Sequence, residues 1–199
     1  MVKNNIKRQG IKELLQWLDT TDFYTAPAST RYHLAKENGL LEHSINVYRR
    51  LLRLYNMEYN GIPADREETL AIVALFHDFC KIDIYKEEWK NIKVYKDNGS
   101  KYDNGGRFDW ETQKGYTVDE KFCYGSHGGK SVYLIQQFMK LTQEEATCIN
   151  THMGMFDRPF GDYSLSNAFQ QYPLSLLLHT ADCLASFIDE KDSKPKHDF

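Results

Sequence analysis

No stretch of this 199-residue chain approaches the ~18–20 consecutive apolar residues that cross a bilayer. A membrane-spanning protein is therefore not expected. The opening Met1-Val2-Lys3-Asn4-Asn5 lacks the apolar segment of a secretory signal. The four cysteines, Cys80, Cys123, Cys148 and Cys183, form no CxxC pair. Their scatter fits reduced thiols in a cytoplasmic protein better than a disulfide framework. Positive charge is in short supply. The 25 Lys and Arg face 28 Asp and Glu for a net charge of −3, so no global positive field draws in long nucleic acid. The GxxxxGK[ST] spacing of a phosphate-binding loop is missing, as are internal repeats and low-complexity linkers. What remains is ordinary for a soluble globular protein, with 41% hydrophobic and 27% charged residues. The length suits one domain spanning 1–199.

Helical spacing dominates. Ile11, Leu14, Leu15 and Leu18 fall on one face of an N-terminal helix. From His43 to Tyr55 apolar residues cover much of the circumference, as in a central helix. Asp65 with Glu68 predicts a capping box opening the helix that ends at His77 and Asp78. Ser126 is a candidate cap for a helix from Gly128 to Lys140. Thr142 with Glu145 gives a second capping-box signature, leading to His152. Pro173 suits the first turn of a last helix running through Ile188. One region breaks the pattern. Residues 92–122 hold the turn signals Asn98-Gly99, Asn104-Gly105-Gly106 and Lys114-Gly115 between short alternating pieces, which predicts a β-hairpin. Its aromatic residues suit packing against helices or stacking on nucleobases. The polar tail, 189–199, is expected to be flexible.

The chemistry lies in six scattered side chains: His43, His77, Asp78, His127, His152 and Asp182. Neutral imidazoles and carboxylates together suit divalent transition ions such as Mn, Fe, Ni, Zn or Co. One or two such ions lower the pKa of water and supply a nucleophile near neutral pH, so a hydrolase acting on a phosphate ester is expected. Within a helix His77 and Asp78 would point about 100° apart. An ion between helices, held by His77, His43, Asp78 and Asp182, avoids that difficulty. Asp78 would bridge to a second ion held by His127 and His152, ~3.5–4 Å away. Arg31, His33, Lys130 and Arg158 are candidate contacts for a substrate phosphate. His179, three residues before Asp182, reads as a supporting residue.

The order H…HD…H…H…D resembles the HD superfamily of metal-dependent phosphohydrolases, in its two-metal, six-ligand form, over about residues 31–188. The motif Ala74-Leu75-Phe76-His77-Asp78-Phe79-Cys80-Lys81 carries most of the resemblance, with Cys80 where the family usually has Gly. Leu40-Leu41-Glu42-His43-Ser44 is similar to the family's first-ligand segment and His179-Thr180-Ala181-Asp182 to its last. The resemblance implies an all-α HD-domain bundle of about seven or eight helices with a small hairpin insertion. It also implies a catalytic Asp78 and a Lys81 that screens charge on the phosphoryl group. The substrate it suggests is a nucleotide or short oligonucleotide. A di-iron oxygenase is the alternative that the same ligand set allows.

Overall fold

In the computed structural model, which describes residues 5–95, 108–157 and 163–191, the chain runs α1 (Ile11–Leu18), α2 (Gly39–Tyr59), α3 (Glu67–Phe76), β1 (Tyr85–Tyr95), β2 (Phe108–Val118), α4 (His127–Gln136), α5 (Gln143–Thr151), α6 (Ser164–Gln171) and α7 (Pro173–Leu184). The protein is thus mostly helical, with one antiparallel hairpin. No helix among the described residues is long and apolar enough to cross a membrane.

The central helix is α3, which buries every residue from Thr69 to Phe76. A helix apolar on all sides has no solvent face to offer and settles in the middle. It packs against α2 and α5, and α7 closes the bundle on α2 and α5. The long helix α2 instead buries one stripe, which includes His43, Val47, Leu51 and Tyr55. Ile45, Leu52 and Leu54 reach only partial burial, so the central position expected of α2 belongs to α3.

Local signals hold in three places. Ser126 accepts from the Gly129 backbone N–H, Thr142 and Glu145 form a reciprocal capping box, and Pro173 sits in the first turn of α7. The Asp65–Glu68 box does not form. Residue Arg66 takes the N-cap position with no side-chain cap, because Glu68 is drawn to the N-terminal segment. There it accepts from the Lys7 backbone N–H at 2.7 Å and from Arg8 at 3.1 Å. The helix after Ser126 stops at Gln136 rather than Lys140.

The hairpin begins earlier than expected, at Tyr85, and its eleven-residue strands pair Tyr85 with Val118 and Tyr95 with Phe108. Gly115, expected in a turn, pairs with Glu88 inside the ladder. The Lys90 stem crosses its bare Cα and the ammonium donates to the Tyr116 carbonyl. The Asn98-Gly99 and Asn104-Gly105-Gly106 signals lie outside the described residues. Trp89 and Trp110 are 70% and 63% exposed, so this part of the ribbon does not pack on the helices.

Candidate metal centre

Two histidines mark parallel helix ends. His77 is the C-cap of α3 and His152 the C-cap of α5. The last carbonyls of a helix lack intrahelical donors, and each imidazole supplies one. His77 Nδ1 lies 2.8 Å from the Ala74 carbonyl, and His152 Nδ1 lies 2.7 Å from that of Ile149. A carbonyl can only accept, so both Nδ1 atoms carry the proton. The other nitrogen, Nε2, has no hydrogen-bond partner in either residue although both rings are fully buried.

Both Nε2 atoms face Asp78. The α-helix ends at Phe76, and Asp78 leaves helical geometry at φ −102°, ψ 23° before a short 3₁₀ turn, Phe79–Lys81. This bend removes the divergence expected for adjacent helical residues. His77 Nε2 comes to 3.5 Å from Asp78 Oδ2, and His152 Nε2 to 3.4 Å from Asp78 Oδ1. Burial pulls the His77 imidazole down to about 4, against the pull of Asp78, so at neutral pH a lone pair opposes a carboxylate oxygen. Two acceptors at that separation need a cation or a proton between them.

The remaining groups complete a charged cluster. From α2, His43 places Nε2 3.2 Å from Asp182 Oδ1 on α7 and 3.6 Å from Asp78 Oδ2. Burial disfavours its charged form, but hydrogen bonds to Asp182 and Glu190 outweigh that and raise it to about 9. Lys81 Nζ sits 2.7 Å from Asp78 Oδ2. Burial would raise Asp78, yet Lys81 and His152 hold it well below the ordinary carboxylate range. Asp182 is likewise held low by His43 despite its burial. Burial disfavours a charged His152 as well, but Asp78 outweighs it and raises this imidazole, so three carboxylates, Asp78, Asp182 and Glu190, sit among Lys81, His43 and His152. Among the described residues three groups have ligand atoms close enough to share an ion: His33, His43 and Glu190; His43, His77 and Asp182; and His77, Asp78 and His152.

Other expected site residues take different places. His127 stands at the N-terminus of α4, exposed, with its backbone N–H donating to Asp157. It senses the charges of Asp78 and Lys81 but belongs to none of the three groups. Lys130 is buried and paired with Glu120 at 2.6 Å. Arg31 is exposed and lies against its neighbour Tyr32. His33 is brought in, with its ring 4.7 Å from that of His43. Arg158 lies outside the described residues. His179 donates from Nδ1 to the His152 carbonyl at 2.6 Å. This close approach requires Gly154, at φ +59°, where a Cβ would lie 2.6 Å from the His179 ring.

Glu190 is the residue that sequence reading missed. It falls in the tail expected to be flexible, yet it is buried beside His43 and His33. Its neighbour Asp189 pairs with Arg50. Nothing in the polar composition of the tail signals this. No family model matches the chain, and neither does any curated protein or solved structure.

Proposed function

We propose that this chain is a metal-dependent phosphohydrolase of the HD type, cleaving the phosphate ester of a nucleotide or short oligonucleotide. One observation carries the reading. The Nε2 atoms of His77 and His152 are buried, unpartnered and aimed at the two oxygens of Asp78. An apolar core does not retain such atoms without a ligand, because each unsatisfied polar atom is destabilising by about 1–3 kcal/mol. Imidazole and carboxylate are the donors that divalent transition ions accept.

His43, His77, Asp78 and Asp182 would hold one ion, and His152 with the other oxygen of Asp78 offers a place for a second. When bound, such an ion supplies Lewis acidity and a low-pKa water. The residues of the chain do the rest. The Ala74 and Ile149 carbonyls fix the imidazole tautomers. Lys81 holds a fixed positive charge beside Asp78, suited to offset charge gathering on phosphoryl oxygens. His33, beside His43, offers a substrate contact. The surrounding core excludes water from the ligand side.

The test is metal analysis of the protein purified without chelators, followed by phosphate release from a nucleotide panel with oxygen uptake recorded in parallel. We expect phosphate release that chelation abolishes and Asp78→Asn removes. Oxygen consumption with no phosphate release would overturn the hydrolase reading in favour of a di-iron oxygenase.

A further inference from the structure

We propose that Glu190 is a positioning residue that fixes the metal ligand His43 and the neighbouring His33, through a clasp closed on α2. This rests on the reading of the centre as a metal site. A carboxylate is buried only where donors replace its water. Glu190 receives His43 Nδ1 at 3.1 Å, His33 Nδ1 at 2.5 Å and Asn46 Nδ2 at 3.1 Å. A carboxylate accepts, so His43 keeps its proton on Nδ1. Its Nε2 is then the nitrogen turned to Asp78 and Asp182. The same carboxylate holds His33 against the His43 ring.

The backbone is shaped for this contact. After α7 the chain passes into a π-turn, Ala185–Asp189. The Glu190 N–H bonds to the Ala185 carbonyl five residues back, at 3.1 Å. Such widened turns concentrate at functional sites. On α2, His43, Asn46 and Arg50 lie at i, i+3 and i+7 and form one stripe. Along that stripe His43 and Asn46 bind Glu190, and Arg50 binds Asp189 through Nε at 2.7 Å and through Nη2. Carboxylates behind a ligating histidine set its orientation and basicity, and losing one weakens metal binding about 10–100-fold.

Glu190→Gln keeps the size and removes the charge. Titrating the metal-free protein with Mn(II) or Zn(II) against a chromophoric chelator gives the dissociation constant, and thermal melting of the same sample reports folding. We expect the variant to bind about 10–100-fold more weakly. Were Glu190 only a packing residue, melting would fall and the dissociation constant would stay at the wild-type value, which overturns the proposal. A wild type that takes up no metal would defeat the reading beneath it instead. Nitrogen NMR of zinc-loaded wild type tests the same point without any substitution. We expect His43 to be protonated at Nδ1, and metal on Nδ1 would reverse the assignment.

Discussion

Helices α3 and α5 run side by side, and their two ends differ. At the N-terminal ends, Glu145 is fully buried. It receives Thr69 Oγ1 at 2.9 Å, the Thr142 backbone N–H at 2.8 Å, and Arg8. At the C-terminal ends, roughly 11–12 Å along the same axes at ~1.5 Å per residue, His77 and His152 leave Nε2 atoms with no partner. One end is a polar network with its donors and acceptors matched, and the other is open. A satisfied network specifies the fold. An unsatisfied one is a place where stability is given up, and folds give up stability mainly at sites of function. The same two helices thus separate holding the bundle together from binding.

This contrast breaks first at Glu145. Glu145→Ala leaves the Arg8 guanidinium, 80% shielded, without its buried partner. We expect a loss of about 3–5 kcal/mol in urea denaturation and an unchanged metal dissociation constant in the folded fraction. A loss below 1 kcal/mol would place the pair with solvated surface pairs. The pH dependence follows from the same carboxylate. Burial alone would raise Glu145, but Arg8 and Thr142 hold it below its ordinary value. Its contribution is therefore present above about pH 4.5 and is lost as pH falls through the lower folded-state value. Stability of the metal-free protein followed from pH 6 to pH 3 should show a shallower acid limb for Glu145→Gln than for wild type. An identical limb would mean that Glu145 does not titrate with folding.

The smallest effect is expected at the open end, and its direction is the informative part. Asn can reproduce the Nδ1 donation of His152 to the Ile149 carbonyl while removing the orphan Nε2. His152→Asn should leave metal-free stability unchanged or raise it by about 1 kcal/mol, while lowering metal affinity. Destabilisation comparable with Glu145→Ala would show that the two ends are alike and that the histidine is a structural residue.

Much of this was readable along the chain, for identifiable reasons. Thr142 and Glu145 cap their own helix, an interaction closed within four residues, and the motif formed as read. Asp65 and Glu68 looked the same, but Arg8, sixty residues away in sequence, competes for Glu68. The run ending at His77-Asp78 announced a buried helix with polar residues at its end. It did not announce the bend at Asp78 that turns both side chains to one point. Lys114-Gly115 carried a turn signal that an eleven-pair ladder overrode.

The chain by itself determined the helical periodicity, the caps that its own neighbours supply, and the six imidazole and carboxylate groups available for chemistry. These depend on contacts a few residues apart, where sequence distance and spatial distance agree. Only the tertiary structure decided that Glu190 lies beside His43 and His33, that His127 stands outside all three ligand groups, and that His77 and His152 each turn Nδ1 to a helix carbonyl. Each of those rests on a partner brought close by packing, or on where a backbone carbonyl points once the helices have met.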